Sequence, residues 1–320
     1  MMLRYIWLAA ALACLAGAPI TAQEAAPSLP DTERRIAITI DDAPLGPGAK
    51  GDWDRAASLI EGLNTAGVQA VFFVTTDGFE ELEDGKARVE RYADAGHLIA
   101  NHTHSHPWLY QVEADAFLSD IDRAEAHLEG LESRRPWFRY PFLDQGRRDT
   151  EKRQSVWDGL DARGLGDGYV TVDTYDWHLD RQWQKAIAEG TIVDEAVLSA
   201  VYAAMIVDAA EHAASLAETW LDSQPVHTLL LHENDAAASF LPAAIEGLRG
   251  AGWTIVTPDE AYAHPLSRPA VTTGFTGMGR VAALAWEKGA RGADTFDHWS
   301  ASETGIEERL ASEGVFTAAD

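Results

Sequence analysis

The chain has 320 residues, enough for two average domains or one α/β barrel, which excludes a mini-protein. Hydrophobic residues make up 46% and charged residues 24%, ordinary globular usage that excludes wholesale disorder and a multi-span membrane protein. With 25 basic residues against 51 acidic, the formal charge of -26 repels a phosphate backbone, so nucleic acid is not expected as a partner. A neutral or cationic ligand suits that field better, although a local pocket can differ in sign from the whole.

Residues 1–22 read as a signal peptide: Arg4, an apolar run over 5–18, then Pro19-Ile20-Thr21-Ala22 with a small residue at the cleavage point. The run is shorter than the ~20 residues that span a bilayer, so no stable membrane span is expected after its removal. The expectation is export, to the periplasm or the extracellular space. Cys14, the only cysteine, lies inside this leader. The mature chain therefore has no disulfide and must rely on its core or on a metal. Residues 23–34 read as a linker.

From Arg35 onward short apolar runs alternate with amphipathic stretches. The runs are 36–40, 70–74, 98–100, 137–140, 169–172, 228–231 and 253–256. Continuous apolar runs of this length, separated by helical segments, predict buried parallel strands in a barrel or an open doubly wound sheet. Asp52 or Asp54 caps a helix carrying Leu59, Ile60 and Leu63 on one face, and Gly67 closes it. Further helices are predicted over 113–131 and 241–248. The segment 180–223 is longer than one strand–helix unit needs. Its alanine-rich part, 193–221, predicts a scaffold helix on the barrel wall, because Asp208, Glu211 and Glu218 interrupt its apolar face. Beyond Pro265 strand signals stop, and only 281–288 and 306–312 have helical pattern, so 265–320 reads as an extension of unassigned role. The glycine-rich run 274–280 has neither a preceding strand nor the lysine of a phosphate loop, and reads as a turn.

Ionisable residues gather at strand ends. Asp41 and Asp42 follow the first run; neighbouring side chains leave a strand toward opposite faces, so the two carboxylates suit different tasks, one a metal and the other a base. His102, His104 and His106 follow the third, and imidazoles two and four residues apart can converge on one cation. Pro107 prevents a regular helix there, so a turn sets the ligand spacing. Arg139 ends the fourth run among aromatic neighbours, which predicts a buried, paired guanidinium. Asp173 and Asp176 follow the fifth, and His232 the sixth. In parallel α/β folds functional groups collect where strands terminate. This set contains what a hydrolysis needs: a carboxylate and two imidazoles for a metal, a second carboxylate for a base, and a distal histidine for an acid. Trp53, Trp108 and Trp183 lie near the site segments and read as core or rim packing residues, with stacking on sugar faces as the alternative.

Five ordered motifs, TIDDAP, HTHSHP, RYPF, DTYDW and LLLH, make the chain resemble the polysaccharide deacetylase family, the NodB-homology carbohydrate esterases, over residues 35–264. The resemblance implies a distorted, incomplete (β/α) barrel of about seven parallel strands. It also implies metal-dependent removal of acetyl groups from N-acetylated glycans, with O-acetyl esters or glycan binding without turnover as alternatives. Carried over by position, it implies Asp42, His102 and His106 as ligands of a divalent metal, zinc or else cobalt, with Asp41 as base and His232 as acid. It further implies Arg139 as the partner of Asp41, and Asp176, or alternatively Asp173, as the partner of His232. Phe142 would offer its backbone N–H to the oxyanion, while Trp177 and Leu230 would wall the acetyl methyl. The chain departs from the usual family pattern at Ile40, Ala43, Tyr140 and Phe142, none of which is an expected ligand, acid or base.

Overall fold

A computed structural model describes residues 33–51, 53–267 and 271–317. The expected leader over 1–22, and Asp52, lie outside the described residues.

Strands and helices alternate from the start. In chain order these are β1 (Arg35–Ala43), α1 (Arg55–Thr65), β2 (Val71–Val74), α2 (Gly78–Glu81), α3 (Gly85–Asp94), β3 (Leu98–Asn101), α4 (Ala114–Leu128), β4 (Arg134–Phe138), α5 (Thr150–Ala162) and β5 (Gly166–Asp167). There follow α6 (Asp176–Ala188), β6 (Ile192–Val193), α7 (Glu195–Leu221), β7 (Val226–His232), α8 (Asp235–Gly250), β8 (Thr254–Ile255) and α9 (Pro258–Ala263). The last elements are α10 (Gly279–Glu287), α11 (Ala293–Phe296), α12 (Glu303–Ser312) and β9 (Phe316–Thr317). Asp54 caps α1 by accepting from the Ala57 N–H at 2.9 Å.

Seven strands form one parallel sheet in the order β5-β4-β3-β2-β1-β7, with β8 beside the start of β1. Seven of the nine β1 residues are buried, as a strand covered on both faces requires. Its register with β7 sets Asp41 directly opposite His232. Two residues from separate motifs, 191 positions apart by number, thereby become neighbours.

The fifth run corrects the sequence expectation. Residues 169–172 are buried, but only Val172 pairs, through a single bridge to Leu229; the strand is β5, which pairs with β4. Apolar sequence reports burial, and here burial comes without a ladder. The stretch from Gly166 to Val172 touches β4 at its start and β7 at its end, where the Thr171 and Val172 N–H groups donate to the Thr228 carbonyl at 3.1 and 3.0 Å. One irregular segment thus runs between the two ends of the strand order and curls the sheet into a distorted barrel.

Helix α7, 27 residues long, has a length and composition that would also cross a membrane, but its buried face, including Leu198, Tyr202, Met205 and Ile206, belongs to the main core with Phe240 and Leu241 of α8. The stretch beyond Pro265 also joins the fold. Ile306, Leu310 and Val315 enter the main core, and Val281, Ala282 and Ala285 pack against Leu216 and Ala217 of α7. Residues Phe316 and Thr317 form an antiparallel pair with β6, a pairing the sequence did not signal.

Gly279 fastens this region to the barrel. Its φ is +84°, and a Cβ there would lie 2.8 Å from the Val170 carbonyl oxygen. Replacement by alanine combines left-handed backbone strain with a clash against main chain, so Gly279→Ala is expected to cost roughly 1–3 kcal/mol. Chemical denaturation measures this; an unchanged midpoint would contradict the assigned packing.

Candidate functional site

The metal-type ligands come from two strand ends. Ligand atoms of Asp42, His102 and His106 all lie within 4.8 Å of one another. Asp42 Oδ1 sits 3.4 Å from His102 Nε2 and 3.3 Å from His106 Nε2. The backbone turns sharply to achieve this: Asp42, Thr103 and His106 have φ of 64°, 73° and 51°, left-handed values that cost a non-glycine residue about 1 kcal/mol or more. Helix α4 holds the histidine turn. Asp120 accepts from the His104 and Ser105 N–H groups at 2.8 and 2.9 Å, and Asn101 donates to Glu125 at 2.8 Å while accepting from the Thr103 N–H at 2.7 Å.

The donor chemistry fits a cation. His102 Nδ1 lies 2.9 Å from the Arg139 carbonyl, which can only accept, so Nδ1 carries a proton and Nε2 is the ring nitrogen turned toward Asp42. Burial drives His106 down to about 4, leaving a neutral imidazole at neutral pH, although Asp42 opposes the shift. Burial pushes the Asp42 carboxyl up, yet contact with His102 and the nearby imidazoles together hold it below the usual carboxylate range. Its Oδ1 is buried without a hydrogen bond. Asp42 Oδ1, His102 Nε2 and His106 Nε2 therefore converge on one point, and a divalent cation would satisfy all three.

Asp41 stands beside this group. Its Oδ1 accepts from Arg139 Nη1 at 2.8 Å, and its Oδ2 is 3.6 Å from His102 Nε2. Arg139 is 1% exposed, so its donors must be satisfied inside the protein. Nη1 also reaches Thr39 Oγ1 at 3.1 Å, Nη2 donates to Tyr262 Oη at 2.8 Å, and Nε donates to the Gly168 carbonyl. The guanidinium lies 4.0 Å from the centre of the Phe73 ring. Asp41 and Tyr262 raise the arginine's pKa against the opposing effect of burial.

Across the β1–β7 register, His232 Nδ1 contacts Asp176 Oδ1 at 2.6 Å. Asp176 Oδ2 accepts from the His232 N–H at 2.9 Å and from Asn234 Nδ2 at 3.0 Å. Burial disfavours the imidazolium, but the Asp176 charge and hydrogen bond outweigh it and push His232 up to about 10. Of the two aspartates open on sequence, Asp176 makes the contact. Asp173 lines the same cleft, and burial lifts its carboxyl to about 7.

These groups open onto a cleft of about 450 Å³. Phe142, Trp177 and Leu230 line it, as do Tyr140, Tyr175 and Gly277, which sequence reasoning missed. Phe142 is 52% exposed, with its ring edge-on to His106 at 4.5 Å. His104 points elsewhere: it contacts Thr76 Oγ1 at 2.9 Å, stacks on His127, and forms a separate ligand-type group with His127 and Glu80. Trp183 is fully buried and Trp53 packs against the core, with the Lys50 ammonium over both rings.

Removing the Arg139 charge strands a buried carboxylate. Arg139→Met is expected to destabilise the fold by about 3–5 kcal/mol, and adding Asp41→Asn to recover part of the loss. Urea unfolding of the two variants checks this; a loss that Asp41→Asn does not reduce would show that the pair is not coupled.

The polysaccharide deacetylase family model matches residues 28–156. A peptidoglycan-N-acetylglucosamine deacetylase of Bacillus cereus is 31% identical over 112 residues, covering 35% of this chain and 37% of that protein. The alignment thus spans little more than a third of that relative's length. Among solved structures, PdaA of Bacillus subtilis, a family 4 carbohydrate esterase, is 20% identical with a TM-score of 0.49 over 73% of this chain and 82% of that one. A family 4 carbohydrate esterase from Streptomyces lividans is 20% identical with a TM-score of 0.45 over 71% and 95%. Over residues 28–156 the chain is thus similar to the polysaccharide deacetylase family.

Proposed function

We propose that the chain is an exported, zinc-dependent deacetylase that hydrolyses the amide of N-acetylated sugars in a glycan. The observation that carries this reading is the meeting of Asp42, His102 and His106 beside a separately held Asp41, opposite His232. The similarity to a peptidoglycan-N-acetylglucosamine deacetylase supports an N-acetylglucosamine-containing substrate. The leader read over 1–22 supports export.

Asp42, His102 and His106 would hold the cation, which when bound polarises the acetyl carbonyl and lowers the pKa of water. Asp41 takes the proton of the attacking water. Arg139 occupies its Oδ1 and leaves its Oδ2 free on the cleft side, 3.6 Å from His102 Nε2. Phe142 offers its backbone N–H to the developing oxyanion. His232, held by Asp176 through Nδ1, donates from Nε2 to the departing nitrogen as the C–N bond breaks, leaving acetate and the free amine.

Acetate release from N-acetylglucosamine oligomers and from O-acetylated xylan tests the reading. Release from the oligomers is expected, stopped by a strong chelator and restored by zinc or cobalt. Asp41→Asn should lower kcat about 10²–10⁴-fold with oligomer binding retained. Release from esters alone would overturn the amide reading, and activity indifferent to chelation would overturn the metal assignment.

The pH profile carries a second expectation. His232 has its pKa raised from 6.5 to about 10, so the acid form is present below that range and is lost as pH rises through about 10. Asp176→Asn removes the main stabiliser of the charge, and the alkaline limb of kcat should move to lower pH. The stability supplied by the pair follows the same sign: full below pH 6.5, lost as pH climbs through about 10. An alkaline limb that stays in place in the variant would contradict the role given to Asp176.

A further inference from the structure

A second groove, of about 850 Å³, opens beside the site cleft and shares Phe142 and Gly277 with it. One wall is Trp108 and Phe142, with ring centres 4.7 Å apart; the other is Phe275 stacked on Trp286 at 4.6 Å. The second wall comes from residues beyond 156, where the family match ends. Aromatic rings on two sides of a groove offer apolar surface to a sugar ring.

The groove also carries positive charge. Arg147 and Arg148 line it, and both are exposed. The Arg147 guanidinium lies 3.9 Å from the Tyr110 ring centre and 5.0 Å from that of Trp108, so aromatic rings hold it at the groove wall. Among the described residues neither arginine has a carboxylate within the 4.0 Å of an ion pair, in a chain with twice as many acidic as basic residues. The groove's own acid, Asp144, is 5% exposed and engaged by the Tyr110 and Gly146 N–H groups at 2.8 and 3.0 Å. Buried Arg153 fixes the loop, donating to the carbonyls of Gln145, Arg147 and Thr272, and so ties it to the second wall.

Resting on the deacetylase reading, we propose that this groove is a subsite for the neighbouring sugar of an anionic acetylated glycan. Arg147 and Arg148 take that sugar's carboxylate, and the aromatic walls take the ring faces. The local charge then opposes the sign of the whole molecule and selects a substrate that the global field would disfavour. The carboxylate has two sources, the free lactyl ether on alternate sugars of a glycan strand whose peptides have been removed, or the ring carboxylate of a uronic acid.

The test compares acetate release by the zinc-loaded full chain from three matched oligomers: neutral N-acetylglucosamine, one with lactyl-ether carboxylates and one with uronic acids. Wild type should prefer one or both anionic oligomers in kcat/KM, and the one preferred identifies the source. The Arg147→Gln/Arg148→Gln variant should reduce the anionic-to-neutral ratio about tenfold, mainly through KM, and rising salt should erode the wild-type preference. Arg148→Gln alone, at an exposed position, should reduce the ratio in part and guards against misfolding of the double variant. No wild-type preference, or a ratio unchanged in the variants, overturns the subsite. If no oligomer releases acetate, the deacetylase reading fails, and calorimetric titration with the anionic oligomers decides the groove separately. Binding lost in the double variant supports it; binding that is absent or unaltered overturns it.

Discussion

Arg139 joins the barrel to the chemistry. Its guanidinium donates to Asp41, Thr39, Tyr262 and the Gly168 carbonyl, and its own carbonyl faces His102 Nδ1. One residue at the end of β4 therefore orients the free carboxylate through its side chain and the tautomer of a ligand-type imidazole through its main chain. A buried arginine must have such partners, because an unsatisfied guanidinium in the core would cost more than the fold can spare. The requirement runs both ways: the core needs the polar partners, and the site needs the rigidity that burial confers.

Electrostatics at the site are divided by distance. Asp42 faces the Nε2 atoms of two imidazoles, whereas Asp41 is committed through one oxygen to a permanent cation. Adjacent carboxylates thus acquire different partners, and the divergence begins with the left-handed turn at Asp42. On the opposite side, Asp176 maintains the charge of His232. Asp41 and His232 are held by separate ion pairs, so neither has to be positioned when a ligand arrives.

The strand-end motifs were legible because each functional residue follows an apolar run, and such runs are easily seen. The runs gave strands at six of seven places, and failed at 169–172, where apolar residues line the interior without pairing in a ladder. Partner choice was legible only as alternatives: Asp173 and Asp176 are three residues apart, and only the start of α6 puts the latter against His232. Tyr262, Thr39 and Gly277 were missed, since nothing local distinguishes them; their roles come from contacts with Arg139 or from their place at the cleft. Trp108 read as core or rim packing with sugar stacking as the alternative, and it walls the second groove. The stretch beyond Pro265 had weak periodicity because its helices are short, and its place against α7 and the core emerges only in three dimensions.

The central claim is that one carboxylate and two imidazoles share a cation. X-ray absorption of the full chain loaded with one equivalent of zinc measures this directly. The account predicts a first shell with two imidazole nitrogens and a carboxylate oxygen, lost when His102 and His106 are both replaced by alanine. A shell that survives those replacements, as the separate Glu80, His104 and His127 group would give, or a chain that takes up no zinc, would contradict it.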